Sequence, residues 1–318
     1  MNSKQRFTTA LELGIPDRVP TFELGFWLED EMFGRTFDYS LTTDEALSQC
    51  SVSQREYRLS KKAEHEIELY CRQLEYDSIP VNGPHTLKTL EYQLEYIRIL
   101  RRMVGDTVCL HTHGDGTMAL PDGNEMYAFA YRIADDYDGL LAEAKAMADR
   151  AIERNRRLTQ AGIDVFILCS DYCYNSGPYI SPTMFSQLIT PNLAAIIADI
   201  RAMGAYAIKH TDGNIMPIVD QLVCAHPHAL HSLDPMAGVD IRVVKERYGK
   251  QVALCGNVNC ALMQTGTDEQ VRESAMYCLT HGKPGGGYVF CTSNVPFAGL
   301  PPQRYQFILD IWKQHRDY

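Results

Sequence analysis

Apolar residues gather in eight short, nearly continuous runs spread along the chain: Val19–Leu24, Tyr76–Val81, Thr107–His113, Val165–Cys169, Tyr206–His210, Ala229–Leu233, Val252–Cys255 and Tyr288–Thr292. Runs that do not alternate with polar residues predict strands buried on both faces, as in a parallel sheet. Between them lie stretches of helical spacing with readable ends. Ser3 is placed to cap a first helix whose apolar stripe is Phe7, Ala10 and Leu11, with Gly14 behind it. Ser181-Pro182 opens another helix, which Pro191 should interrupt and Gly204 should close. Thr267-Asp268-Glu269-Gln270 is a capping box. Gly139 to Ala161 reads as one long helix ending at Gly162.

Eight strands alternating with helices predict a single α/β domain, a (β/α)8 TIM barrel. A doubly wound sheet fits less well, because no glycine-rich phosphate loop follows the first strand. Two stretches exceed a minimal barrel: residues 26–75, read as a helical insertion after the first strand, and a long loop, 114–136, after the third. Pro284-Gly285-Gly286-Gly287 leads into a strand, so it lacks the helix N-terminus an anion site needs and reads as a tight loop.

Composition narrows the function. With 30 Lys+Arg against 40 Asp+Glu, the net charge of -10 and the lack of a basic stripe argue against nucleic-acid binding. No apolar run is long enough for a membrane span. Met1 to Gly14 is polar and amphipathic, and the ten cysteines form no CxxC pair, so a cytoplasmic protein with reduced thiols is expected.

A barrel carries its chemistry at the C-terminal ends of its strands. Those ends hold Glu23; Asn82 and His85; His111, His113 and Asp115; Asp171 and Tyr172; His210 and Asp212; Asp234; Asn257, Asn259 and Cys260; and Ser293 and Asn294. Glu23, Asn82, His111, His113, Tyr172, Asn257 and Asn294 are the expected substrate-binding groups. Asp171, His210 and Asp212 are the expected catalytic ones. His111 and His113 share a strand face, as do His210 and Asp212, and either pair could contribute to a metal site.

Several motifs then resemble one family. They are Arg6…Ala10-Leu11…Gly14-Ile15-Pro16-Asp17-Arg18-Val19-Pro20, Ser181-Pro182…Phe185…Pro191, Lys209-His210-Thr211-Asp212-Gly213-Asn214, His231-Ser232-Leu233-Asp234-Pro235, Gly256-Asn257-Val258-Asn259 and Pro284-Gly285-Gly286-Gly287-Tyr288-Val289. In order and spacing this resembles the uroporphyrinogen decarboxylase superfamily, from residue 4 to about 302. The resemblance implies a (β/α)8 barrel and one of two chemistries: cofactor-free decarboxylation of uroporphyrinogen, or methyl transfer involving a corrinoid carried by a partner protein. The decarboxylases hold substrate carboxylates with an N-terminal arginine pair, where this chain has Thr21-Phe22-Glu23-Leu24-Gly25-Phe26-Trp27. The thiol-methylating members bind zinc with His-x-Cys after the fifth strand and a Cys after the eighth. Here those positions are His210-Thr211-Asp212 and Asn294. Cys260 and Cys291 are the candidate replacement thiolates. The resemblance therefore points to a methyltransferase or demethylase acting on a small substrate, such as a methoxylated compound, with His210 and Asp212 as a partial metal site. A decarboxylase is the alternative, and a catalytically silent binding barrel is a third reading.

Overall fold

The computed structural model describes residues 1–34 and 37–318. Seven parallel strands form one sheet and pair in chain order: β1 (Ser78–Pro80), β2 (Cys109–His113), β3 (Val165–Cys169), β4 (Tyr206–His210), β5 (Ala229–His231), β6 (Ala253–Cys255) and β7 (Tyr288–Val289). β3 and β4 coincide with the predicted runs, and the other five are shorter than predicted. β5 stops at His231 because Ser232 and Leu233 turn into the left-handed region, with φ of 77° and 48°.

The first predicted strand, Val19–Leu24, is not a regular strand. It lies beside β7 through a single bridge between Thr21 and Phe290, with Phe290 N donating to Pro20 O. On its other side Asp77 N donates to Thr21 O. Pro20 has no N–H to give, and the Thr21 N–H is taken by the Asp77 carboxylate at 3.1 Å, so a ladder cannot propagate. The segment nonetheless occupies the gap between the two edge strands of the sheet.

Side chains alternate across the sheet. One set, Phe22, Leu24, Cys109, Val165, Ile167, Ile208, Ala229, Ala253, Cys255, Val289 and Cys291, packs together on the inner face of the curled sheet. The first helix, Ser3–Leu11, seals that face from below with Phe7, Ala10 and Leu11. Burying each large side chain there contributes about 1.5–3 kcal/mol. The other set, including Ile79, Leu110, Phe166, Leu168, Ala207, Leu230 and Leu254, packs outward against the helices.

Helix ends follow the predicted signals with small shifts, and the long helix predicted from Gly139 starts at Tyr137, capped by Asp136. Asn2, not Ser3, caps the first helix, in a reciprocal box with Gln5. Ser181 caps Pro182–Leu188, and the chain breaks before Thr190–Ala202. Thr267 and Gln270 form the predicted box ahead of Asp268–Gly282. Residues 26–75 are largely helical, with helices at Glu29–Phe33, Asp44–Ser48 and Val52–Ile67. The stretch predicted as a long loop contains a helix, Met126–Asp135. No described helix is long and apolar enough to cross a membrane.

Candidate active site

The inward parity that fills the lower layers with apolar residues places polar ones at the top. β4 carries Ile208 inward and then His210. β5 carries Ala229 inward and then His231. The two histidines are register partners, so their rings meet with Nδ1 atoms 2.9 Å apart. Beyond the strand ends, Asp171 and Asp212 close in on His210. Its Nε2 lies 3.9 Å from Asp171 Oδ1 and 3.8 Å from Asp212 Oδ1. One ligand atom from each of these three residues lies within 4.8 Å of the others, and no other such cluster exists among the described residues.

Asp212 is held on both oxygens. Ser232 Oγ donates to Oδ1 at 2.6 Å, and Asn294 Nδ2 donates to Oδ2 at 2.6 Å. Asp171 is fixed by the Asp212 backbone N–H at 2.9 Å. Gly213 turns the chain away with φ of 81°; a Cβ there would sit 2.4 Å from Cys173 O. Asp234 caps the next turn through Met236 N and accepts from Gly213 N.

The electrostatics show a shortage of positive charge. Burial, followed by the nearby Asp171 and Asp234, pushes Asp212 up to about 6, although the Ser232 and Asn294 hydrogen bonds oppose the shift. Burial pushes His210 and His231 below the ordinary imidazole range, so both rings are neutral at pH 7. His113 is reached by solvent from one side but walled by protein on the rest, and it is pushed down to about 4 by burial and by His210.

The other expected groups fall in different places. Asn82 is buried and donates to Leu24 O at 2.6 Å, with His113 Nε2 3.0 Å away. Asn257 is buried; it donates to Leu233 O and accepts from the Cys278 thiol, on the wall of a cavity of about 530 Å³ between the loops after β5 and β6. His111 lies deeper on the inner face, 0% exposed, with Nδ1 2.8 Å from Ser78 Oγ. The expectation of His111 at the mouth is thus corrected.

Two more corrections follow from parity. Phe22 and Leu24 take the inward positions, so Glu23 points outward, 1% exposed, toward the C-terminal helix. There it accepts from Thr292 N at 3.0 Å, Thr292 Oγ1 at 2.6 Å and Tyr305 OH at 3.3 Å. Burial pushes it up to about 8. Tyr172 is fully buried among the outer helices, edge-on to Phe185 and bonded to Thr117. Neither Glu23 nor Tyr172 faces the mouth.

The replacement thiolates do not join the cluster. Cys291 Sγ sits 3.4 Å from His231 Nε2, and Cys260 packs against Val295 O. A zinc site of the two-thiolate kind does not fit these residues. The oxygen–oxygen–nitrogen set of Asp171, Asp212 and His210 does suit a divalent cation with bonds of about 2.0–2.2 Å.

In the sequence, Ser232, His231 and Lys209 stand out only as members of family motifs, with no site role. His231 was signalled by its spacing of two from the inward Ala229. Lys209 was signalled by its place inside an apolar run. It lies 0% exposed, with Nζ bonded to Asp115 Oδ2 at 2.9 Å, Leu168 O at 3.0 Å and Ser170 O at 3.1 Å.

This geometry defines an α/β protein with a polar, acid-rich mouth on a curled parallel sheet. The family profile described as uroporphyrinogen decarboxylase (URO-D) matches residues 61–315, and the chain belongs to that family. Among solved structures, a methyltransferase from Methanosarcina mazei is similar, with a TM-score of 0.70 and 17% identity over 99% of this chain and 98% of that one. An N-acetylneuraminate lyase from Fusobacterium nucleatum follows at a TM-score of 0.43, 10% identity, 80% of this chain and 70% of that one. A D-psicose 3-epimerase from Clostridium cellulolyticum H10 gives 0.45 and 12% over 83% and 94%. No curated protein matches the sequence.

Proposed function

We propose that this chain is a methyltransferase of its family, built on a closed (β/α)8 barrel, that moves a methyl group between a small methoxylated substrate and a corrinoid carried by a partner protein. The observation that carries the reading is the Asp171–His210–Asp212 cluster with Asn294 at the mouth. Two carboxylates there would repel a polycarboxylate such as uroporphyrinogen. The full-length likeness to a methyltransferase supports the same reading.

The cluster would hold a divalent cation such as zinc through Asp171, His210 Nε2 and Asp212. Held there, such an ion would supply Lewis-acid stabilisation of a departing oxygen. The chain's own residues set up that task. Ser232 and Asn294 fix the Asp212 carboxylate, so no side-chain reorganisation is needed at the reacting oxygen. The Asp212 backbone N–H fixes Asp171. His113 at the end of β2 and Asn82 just beyond β1 meet each other at 3.0 Å.

The test is to mix purified, zinc-loaded protein with cob(I)alamin and a panel of methoxylated aromatics and alcohols, following the cob(I)alamin absorbance. Donor-dependent loss of that absorbance is expected. Loss of carboxyl groups from uroporphyrinogen, with no reaction on the panel, would overturn the reading.

A further inference from the structure

The contact between His210 and His231 has a consequence of its own. Two Nδ1 atoms 2.9 Å apart cannot both carry hydrogens, and two facing lone pairs would repel. One proton therefore lies between two neutral rings. His231 is 1% exposed, and among the described residues its other nitrogen meets only the Cys291 thiol, 3.4 Å away. The ring is thus held at both ends, edge-on to Phe22 at 5.9 Å between centroids.

The direction of the shared bond decides what His210 shows at the mouth. If His231 donates, the His210 proton sits on Nε2 and faces the Asp171 and Asp212 carboxylates, a favourable arrangement when no cation is present. If His210 donates, Nε2 presents a lone pair toward the same two carboxylates, as a ligand must. An imidazole at 231 can take either part. An alkyl or phenyl side chain can take neither.

We propose that His231 is a positioning residue that reverses this bond, letting His210 Nε2 be an N–H in the cation-free protein and a ligand when a divalent cation joins Asp171 and Asp212. The inference rests on the cation reading above. The protons balance. Before, one is on His210 Nε2 and one on His231 Nδ1. After, one is on His210 Nδ1 and one on His231 Nε2. The proton leaving His210 Nε2 goes to solvent at the mouth, and solvent returns one to His231 Nε2 when the buried ring transiently opens, as its 1% exposure requires. Neither ring changes charge, and the Cys291 thiol turns from donating to His231 to accepting from it.

The experiment is long-range ¹H–¹⁵N correlation on the full chain, with and without Zn²⁺, together with Zn²⁺ titration of the wild type and His231→Phe. Metal-free protein should show His210 protonated at Nε2 and His231 at Nδ1. Stoichiometric Zn²⁺ should exchange both tautomers. His231→Phe should bind Zn²⁺ about 10–100-fold more weakly, because it leaves the His210 Nδ1–H buried and unpaired. His231→Gln, whose amide offers an acceptor, should recover part of the loss. Zinc bound with the His231 tautomer unmoved, or bound equally well by a folded His231→Phe, overturns the switch and leaves the cation reading standing. A wild type that binds no zinc overturns both. If His231→Phe does not fold, the wild-type spectra alone decide.

Discussion

Lys209 and His210 are neighbours on one strand, and they face opposite ways. Lys209 points outward into the layer between sheet and helices. His210 points inward and up to the mouth. Both side chains are buried and polar, yet they are resolved differently. Around Lys209 the account closes: its three N–H groups meet Asp115, Leu168 O and Ser170 O, and its ammonium lies 4.1 Å from the centre of the Tyr172 ring. Burial would raise Asp115, but Lys209 and the Thr117 donors outweigh it and the carboxyl ends below its ordinary value. Around His210 the account does not close. Asp171 and Asp212 stand beside a neutral ring, no Lys or Arg forms an ion pair with either among the described residues, and Asp212 rises to about 6. A buried polar group with every partner present reads as structural. A cluster short of one positive charge reads as a place where something binds.

The largest expected effect lies on the inward side. Asp212→Asn keeps the size while removing one of the two carboxylates. It also turns one of the two acceptor oxygens, which take hydrogen bonds from Ser232 and Asn294, into an NH2 donor. Methyl transfer to cob(I)alamin should fall about 10²–10⁴-fold. The fold should survive, because the side chain is about one-third exposed (32%) and contributes little packing. Turnover within a few-fold of wild type would remove Asp212 from the chemistry and weaken the contrast.

On the outward side the expected loss is in stability. Lys209→Met leaves Asp115 buried without its cation and should cost about 3–5 kcal/mol in urea unfolding. Adding Asp115→Asn should recover most of it, because the stranded charge is gone. A Lys209→Met protein as stable as wild type would show that the pair does not behave as a closed account.

The sequence disclosed these two sides unequally. β3 and β4 were legible to the residue, because an apolar run buried on both faces leaves no competing periodicity. The capping boxes were legible because they are local. Which face of each strand looks inward was not, since both faces are apolar. That is why Glu23, flanked by the inward Phe22 and Leu24, was placed at the mouth, and why His231, legible only within a family motif, was given no site role. The contact of Asp212 with Asn294 spans 82 residues. Only the family resemblance brought those two positions together; pattern alone carries no such long-range information.

Glu23 sharpens the contrast in a third way, since it is a buried acid that the fold keeps as an acid. Its folded value of about 8 lies above the ordinary 4.5. The native state therefore holds a proton that the unfolded chain releases between those values. Stability from this group is complete below pH 4.5 and is lost as pH rises toward 8, with a slope of up to about 1.4 kcal/mol per pH unit. Glu23→Gln removes the titration while keeping the shape. The gap between variant and wild type in urea unfolding should widen in favour of Gln from pH 5 to 8 and then level off. A gap that stays flat over this range would show Glu23 ionised in the fold.

The smallest expected effect is at Tyr172, and it probes the boundary between the two sides. Tyr172 follows Asp171 in the chain, so one backbone step separates a mouth residue from a core residue. Its backbone N–H is held by Thr211 Oγ1 at 3.0 Å, which pins that step whatever the side chain. Tyr172→Phe keeps the ring, its edge contact with Phe185 and its face toward Lys209. It deletes one hydroxyl bonded to Thr117, whose own hydroxyl still donates to Asp115 at 2.7 Å. The cost should be about 1 kcal/mol, the net worth of one such bond with the partner still satisfied. Methyl transfer and Zn²⁺ affinity should stay within about two-fold of wild type, since stability losses of this size leave the folded fraction near unity. A loss of turnover comparable to that of Asp212→Asn, in a protein that still unfolds cooperatively, would mean that the hydroxyl reaches the reacting groups and that the line between the closed and the open account has been drawn one residue too early.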